Sequence, residues 1–278
     1  MLRTQYPVSY LCLWMKCSKS GYYDWINLGR PIHKRFDEHL SELIMNQYHT
    51  DTRQGITSLK MNIKAINALI LTKKRIYRYM LVLNIRSITA RKAKKYGRVN
   101  HHAIPNLLQR DFTTTGPNQK WSIDITYIHT TEGVEYLCAI KDLYDKSIIA
   151  YNQSPFNNSS LVLETVQLAL SLVPFSMRKT LILHSDQGSQ FTSNDYSKLL
   201  SVHQIRHSVS YKGSCADNVP IESWFSLLKC ESIYMKKNLT RLGSRTLVSD
   251  YVDYYNHRRR QEQLKELAPN QFRLLALQ

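Results

Sequence analysis

Three acidic residues occupy positions where a carboxylate is unusual in a folded chain. Asp124 interrupts an alternating apolar pattern, Asp186 ends a short apolar run, and Glu222 lies near the start of a predicted helix. A fold that brought them together would offer the oxygen ligands that hard divalent cations prefer. We therefore interpret the three residues as candidate metal ligands. In a chain this basic, such a site suggests chemistry on phosphodiesters.

Each of these acids also has an ordinary structural explanation. Asp124 could cap or pair with a base, Asp186 could begin a turn with Gly188, and Glu222 could favour a helix N-terminus. Crowded together without a cation, however, the three carboxylates would repel one another and raise their own pKa values. Two Mg²⁺ or Mn²⁺ ions about 3.5–4 Å apart would relieve this repulsion and activate a water or a 3′-hydroxyl. The joint placement therefore favours a two-metal site.

The helix that carries Glu222 can be read in detail. Asp217 or Asn218 is a suitable N-cap for it. Lys229 follows Glu222 by seven residues and lies on the same side of the helix. The helix would thus present a carboxylate that can bind a metal ion and an ammonium group that can contact a phosphate. Glu231 points to the opposite side of the helix, and we exclude it as a third ligand.

The elements that must position these acids follow an α/β order. Three sequential antiparallel strands, followed by helices and strands in alternation, predict a mixed five-stranded sheet flanked by helices. If the fourth strand pairs beside the first, Asp124 and Asp186 come within reach of one pair of ions. Glu222 would then approach from a helix packed across the sheet. The predicted strands are 121–128, 135–140, 147–152, 180–185 and 205–208, and the predicted helices are 159–172, 194–202, 218–229 and 242–256.

The positive charge lies mainly before this α/β part. Residues 1–115 carry a net charge of +14 out of the total of +17, and no acidic residue occurs between Asp51 and Asp111. A segment of one sign repels itself unless a polyanion is present, and DNA or RNA is the commonest such partner. A solvated basic surface or a ribosome-like tail is the alternative.

Helical periodicity in the basic part predicts a small all-α unit that resembles a helix-turn-helix. Thr72 is the expected start of one of its helices. We expect residues 1–90 to be a basic helical DNA-binding region and residues 91–115 to be a basic linker. Residues 116–278 are expected to form the catalytic core with a C-terminal helix.

Cysteine usage and hydropathy indicate the compartment. The five cysteines include no Cys-x-x-Cys pair, so neither a disulfide framework nor a zinc ribbon is predicted. The longest apolar stretch, 161–175, contains Glu164 and is too short to span a membrane. The amino-terminal apolar run lacks a small-residue cleavage site, so we do not expect export. We expect a cytoplasmic, nucleoid-associated protein without a membrane anchor.

Several ordered motifs resemble a known family. Asp186 and Glu222 are separated by 35 residues, and the segments around the three acids resemble the acidic-triad core of retroviral-integrase-like insertion-sequence transposases. The nearest resemblance is to the second-frame product of elements that encode their transposase in two overlapping frames. The resemblance extends over about residues 20–278. The matching segments are 121–127, 184–191 and 212–229 in the core, 254–259 in a carboxyl-terminal signature, and 73–80 in a helix-turn-helix-like region.

The resemblance implies a ribonuclease-H-like catalytic fold that uses two Mg²⁺ or Mn²⁺ ions. It implies cleavage of double-stranded DNA at element ends and transfer of the freed 3′-hydroxyl, with Asp124, Asp186 and Glu222 as catalytic residues and metal ligands. A homo-multimer and an upstream-frame product are the implied protein partners. The expected DNA contacts are Lys229, Lys212, Lys73, Lys74, Arg75, Arg78 and Arg259.

The sequence departs from the family pattern in a few places, and other functions would also suit a basic chain. Tyr211 stands where an arginine often precedes Lys-Gly, which weakens a phosphate contact but removes no ligand. For His184 we favour a supporting role over proton shuttling, because a metal pair can activate the nucleophile. The rivals are a non-catalytic DNA-binding relic and a ribonuclease that cuts RNA–DNA hybrids. The first twenty residues resemble the tail of a longer reading frame, which suggests an alternative start.

Overall fold

The computed structural model describes residues 6–27, 37–89, 104–210 and 217–276. The chain divides into two compact units, Met1–Asn46 and Gln47–Gln278. The helices are α1 Val8–Trp14, α2 Lys19–Asn27, α3 Glu38–Thr50, α4 Ile56–Asn67, α5 Lys73–Val82, α6 Ser159–Ser171, α7 Phe175–Arg178, α8 Asn194–Val202, α9 Val219–Glu231, α10 Arg241–His257 and α11 Pro269–Ala276. The strands are β1 Lys120–Thr130, β2 Gly133–Asp142, β3 Ile148–Ser154, β4 Ile182–Ser185 and β5 Arg206–Val209.

The five strands form one mixed sheet with the order β3-β2-β1-β4-β5. Strands β1, β2 and β3 pair antiparallel as consecutive neighbours. Strand β4 pairs parallel to both β1 and β5. The predicted α/β class with a mixed five-stranded sheet flanked by helices is confirmed, as is the predicted pairing of the fourth strand beside the first.

Two hydrophobic cores lie on the two faces of this sheet. Trp121 and Ile123 of β1 belong to the first core, which includes residues of α6 and α8. Ile128 of β1 belongs to the second core, together with residues of α9 and α10 such as Trp224 and Tyr251. Because successive strand residues point to opposite faces, the central strand β1 contributes to both cores. Helices on both faces therefore hold β1 in the middle of the molecule's second unit.

The β1–β2 hairpin is longer than the sequence predicts. Pairing continues to Thr130 opposite Gly133, so only two residues form the turn. Gly133 has φ of 109°, a conformation that disfavours any side chain, and the Thr130 hydroxyl donates to the Gly133 carbonyl oxygen at 2.7 Å. The last two residues of β1, next to the turn, are polar and do not alternate with apolar residues. The alternation pattern therefore placed the end of β1 too early.

The helices of residues 47–89 form part of the second unit. Helix α5 begins after Thr72, whose hydroxyl accepts the N–H of Arg75, as predicted from the N-cap signal. One side of α5 buries Ile76 and Met80. No helix among the described residues is long and apolar enough to cross a membrane.

Candidate active site

Strand β1 places Asp124 at the centre of the sheet. The residue lies opposite Ala139 of β2 and is half-buried. Strand alternation puts it on the same face as Ile128, the face that belongs to the second core. Its carboxylate accepts the backbone N–H of Ile125 at 2.8 Å. Asp124 is thus a carboxylate at the sheet centre, directed to the side on which α9 packs.

Asp186 is brought level with Asp124 by the pairing of β4 with β1. The parallel register sets Ser122 beside His184, and each acid lies two residues further along its strand. Asp186 follows the last residue of β4 and its side chain is exposed. Its carboxylate accepts the N–H of Gly188 at 2.8 Å. The register therefore brings the two aspartates to one edge of the site.

Glu222 lies in the first turn of α9 and is exposed. The helix is anchored by its apolar side, because Ile221, Trp224, Phe225 and Leu228 are all buried in the second core. This periodicity, i, i+3, i+4 and i+7, leaves the Glu222 side of the helix at the surface.

Asn218 fixes the start of α9 beside Asp124. The Asn218 side-chain oxygen accepts the hydroxyl of Ser122, and its amide donates to the Ile123 carbonyl at 3.4 Å. Asn218 occupies the N-cap position, but its side chain makes no capping hydrogen bond. The prediction gave the correct N-cap position, but the Asn218 side chain does not cap the helix. It joins the helix to β1 instead.

The three acids interact electrostatically. Burial raises the pKa of Asp124 well above its usual range, and the negative charges of Asp186 and Glu222 raise it further, whereas Lys229 lowers it. Burial also raises the pKa of Asp186, and the hydrogen bond from the Gly188 N–H lowers it. A cation at this place would relieve the repulsion.

The carboxylates do not yet form a ligand cage. Among the described residues, no three Asp, Glu, His or Cys side chains stand close enough together to hold one metal ion. The carboxylates of Asp124 and Asp186 are instead engaged by the neighbouring backbone N–H groups of Ile125 and Gly188. The donor set consists of oxygens only, which suits Mg²⁺ or Mn²⁺ and not a softer metal.

Lys229 lies on the same helix as Glu222, two turns further on. Its ammonium nitrogen is 4.5 Å from the centroid of the Tyr127 ring, and its charge acts on Asp124. Lys212, the other lysine predicted near the acids, lies outside the described residues.

His184 is buried beneath Asp186. Its two ring nitrogens lie 2.9 Å from the Ser208 hydroxyl and 3.0 Å from the Ser210 hydroxyl. Burial lowers the pKa of His184 to about 4, so the ring is neutral near pH 7. Both ring nitrogens are engaged by hydroxyl groups, so the ring joins β4 to β5. This placement favours a structural role for His184 over proton shuttling.

Glu231 has a structural role, as its predicted orientation requires. Its carboxylate pairs with the Arg259 guanidinium at 2.8 Å and accepts the Tyr251 hydroxyl at 2.8 Å. These contacts support its exclusion as a metal ligand, which stays a prediction. Arg259 was expected to contact DNA, but its side chain is only 21% exposed and is engaged by this buried carboxylate. We therefore omit Arg259 from the DNA surface proposed below.

The predicted basic helix presents its charges to solvent. Lys73, Lys74, Arg75 and Arg78 of α5 are all exposed. Lys73 also pairs with Glu262 at 2.9 Å.

Two sets of polar contacts are not predictable from the sequence. The buried Asp217 accepts the Arg110 guanidinium at 2.8 Å and the Asn106 amide at 2.9 Å, which ties residues placed in the predicted linker to the start of α9. The second is the contact of Asn218 with Ser122. The adjacent Asp-Asn pair before a helix was a visible signal, but it does not identify partners about a hundred residues away.

The fold and the placement of the acids define a protein with an integrase-type core. Residues 114–215 and 222–277 match family descriptions that both read "Integrase core domain". Together these segments contain all five strands and helix α9 from Glu222 to its end.

Curated relatives narrow the family. The chain is 31% identical to the transposase InsF for insertion sequence IS3A of Escherichia coli strain K12, over 97% of this chain and 95% of that protein. It is 33% identical to the insertion element IS600 uncharacterized 31 kDa protein of Shigella sonnei, over 95% of this chain and 97% of that protein. The chain belongs to the IS3 family of insertion-sequence transposases. It is accordingly a DNA transposase, a polynucleotidyl transferase.

Solved structures with similar folds are more distant in sequence. The HTLV-2 integrase catalytic core domain in complex with magnesium, in its trimeric form, matches 58% of this chain and 99% of that chain, with 15% identity and a TM-score of 0.43. The simian T-cell lymphotropic virus intasome in complex with PP2A regulatory subunit B56 gamma matches 82% of this chain and 73% of that chain, with 15% identity and a TM-score of 0.49.

Proposed function

We propose that Asp124, Asp186 and Glu222 hold two Mg²⁺ or Mn²⁺ ions and that this centre cleaves element ends and joins their 3′-hydroxyls to target DNA. The observation that carries the proposal is the placement of the acids. The β1–β4 register sets Asp124 and Asp186 at the same level, and the Asn218 contact joins β1 to the start of the helix that carries Glu222.

The residues of the chain have distinct parts in this proposal. The carboxylates of Asp124 and Asp186, which now accept the N–H groups of Ile125 and Gly188, would hold the ions together with Glu222 of α9. When bound, the ions would supply Lewis acidity for the attacking hydroxyl and the leaving oxygen. No side chain is needed as general base, which agrees with the fully engaged ring of His184.

DNA would be brought to the centre by positive charge outside it. We propose that Lys74, Arg75 and Arg78 of α5 bind the phosphate backbone, with Lys73 joining them when it leaves Glu262. Lys229, and Lys212 beyond the described residues, would contact the strand near the acids. In this proposal the chain has three parts that differ in charge and function: a basic DNA-binding region, 1–90, a basic linker, 91–115, and a catalytic part, 116–278.

The reaction itself suggests that several copies of the chain act together. Two element ends must be joined to one target, so we propose a homo-multimer that acts on double-stranded DNA in the bacterial cytoplasm. An upstream-frame product, fused or separate, would add further DNA contacts.

The substitution Glu222→Gln tests the function. It keeps the size of the side chain and removes its charge, so we expect cleavage and joining of element-end duplexes in Mg²⁺ to fall by about a thousandfold or more. Affinity for the same duplexes should survive. The matched control is Asp250→Asn, because Asp250 is an exposed acid on α10. Joining retained by Glu222→Gln would overturn the assignment, and degradation of RNA–DNA hybrid without joining would favour a ribonuclease.

A further inference from the structure

A cavity of about 370 Å³ lies between the end of β1 and the residues that follow α9. Its lining combines aromatic rings with cations, among them Tyr127, His129, Lys229, Tyr234 and Lys236. Tyr127 and Tyr234 are 45% and 47% exposed, a large fraction for aromatic side chains. The cavity thus has ring faces inside it and positive charge around it.

The rings and the cations lie close to one another. The Lys229 ammonium stands 4.5 Å from the centroid of the Tyr127 ring, and the Tyr127 and His129 rings are 5.3 Å apart, edge to face. Among the residues that the structure describes, none with an acidic side chain lines the cavity. The lining is therefore complementary to a ligand that has a flat apolar part and a negative charge.

Both elements that build the cavity also carry a proposed metal ligand. Tyr127 follows Asp124 by three strand residues, which corresponds to about 10 Å. Lys229 follows Glu222 by seven helical residues, which also corresponds to about 10 Å. The two estimates agree, so a DNA strand whose scissile phosphate lay at the acids would reach the cavity within about three nucleotides of duplex.

We propose that this cavity binds one unstacked nucleotide of the DNA strand, within about three nucleotides of the cleavage site. The base would stack on the rings of Tyr127 and Tyr234, and its phosphate would meet Lys229 and Lys236. The volume is within the range of small-molecule sites, and every base has a face that can stack on an aromatic ring. The inference rests on the proposed function, since the strand reaches the cavity only if the acids hold its scissile phosphate.

Binding to two DNA probes tests the inference. In full-length Glu222→Gln protein, which cannot cleave, we would compare a blunt duplex with the same duplex extended by a short unpaired thymidine tail, using fluorescence anisotropy. We expect about tenfold tighter binding of the tailed duplex, because stacking of a base contributes on this scale. Tyr127→Ala and Tyr234→Ala should each reduce this preference towards one. Tyr127→Phe and Tyr234→Phe should keep it, since the ring remains.

The matched control is Phe175→Ala, which removes an aromatic side chain that is 50% exposed and lies outside the cavity lining. It should leave the tail preference unchanged. No preference in the Glu222→Gln protein, or a preference that survives in both alanine variants, would overturn the proposal.

Cross-linking keeps the proposal testable if the alanine variants fail to fold. A tail containing 4-thiothymidine should cross-link to Tyr127, Tyr234 or their neighbours in the cavity, as mapped by mass spectrometry. Cross-links found only elsewhere would overturn the site. The joining activity of the wild-type protein and its loss in Glu222→Gln are measured separately, so failure of the cavity is distinguishable from failure of the proposed function.

Discussion

At the scale of single residues, surroundings decide what each charged side chain does. Glu222 and Glu231 lie on one helix, yet the first is exposed and acts through its charge on Asp124, whereas the second is buried against Arg259 and Tyr251. Helical geometry predicts their opposite directions, because nine residues correspond to two and a half turns. The sequence could not predict the partners of Glu231, because Tyr251 of α10 and Arg259, just after α10, approach it only in the folded chain.

Lys141 gives a prediction at this scale. It is buried in β2 and donates to the Pro220 carbonyl at 2.9 Å. Burial, with the charges of Lys146 and Arg259, lowers the pKa of Lys141 from 10.5 to about 7. Between these values the unfolded chain holds a proton that the folded chain has lost, so the free energy of unfolding rises with pH there. This contribution is lost as pH falls through 7.

The measurement is urea unfolding at pH 7 and pH 9. A single proton changes stability by at most about 1.4 kcal/mol per pH unit, so we expect Lys141→Met to remove about 2 kcal/mol of the wild-type rise. The control Lys198→Met alters an exposed lysine of α8 and should keep the rise. An equal rise in the Lys141→Met protein would show that this lysine does not titrate in the range.

At the scale of elements, the carboxyl-terminal signature holds the helix that carries Glu222. The Trp224 ring lies 6.2 Å from the Tyr255 ring, and the Asn256 amide bonds the backbone N–H and C=O of Ile148, each at 2.9 Å.

Strong alternation and helical periodicity predicted the type and order of the core elements. Short helices such as α7 were missed, since four residues carry no periodic signal.

Arg259 provides the prediction for this scale. Arg259→Ala leaves the Glu231 carboxylate buried without its cation, so we expect the free energy of unfolding to fall by about 3–5 kcal/mol. Its neighbour Arg258 is 64% exposed and pairs with the exposed Asp253. Arg258→Ala should therefore cost less than about 1 kcal/mol. Both are measured by chemical denaturation, and weaker DNA binding by a fully stable Arg259→Ala protein would contradict the structural role.

At the scale of the whole molecule, we propose that positive charge brings DNA to the site. Composition predicted a polyanionic partner from the net charge of +17. It could not predict that Lys64 and Lys73 pair with Glu266 and Glu262, because 202 and 189 residues separate these partners. Such exposed pairs contribute little to stability, so their lysines can exchange a carboxylate for a phosphate at small cost.

The salt dependence of DNA binding measures this electrostatic part. Replacing Lys74, Arg75 and Arg78 of α5 by Gln together should lower affinity and reduce the slope of log K against log salt by about 2–3. Joining by the DNA-bound protein should persist. The control replaces Lys179, Lys198 and Arg206, which are exposed elsewhere in the second unit. If both triple variants change the slope equally, α5 is not the DNA-binding surface.

The central claim is that three acids hold the catalytic ions, and the count of bound Mn²⁺ tests it most directly. Electron paramagnetic resonance on the full chain with element-end DNA gives that count. We predict two ions for the wild-type protein and for a control carrying Asp195→Asn and Asp250→Asn, both exposed acids. We predict none for the protein carrying Asp124→Asn, Asp186→Asn and Glu222→Gln. Equal Mn²⁺ uptake by that variant and the wild type would contradict the account.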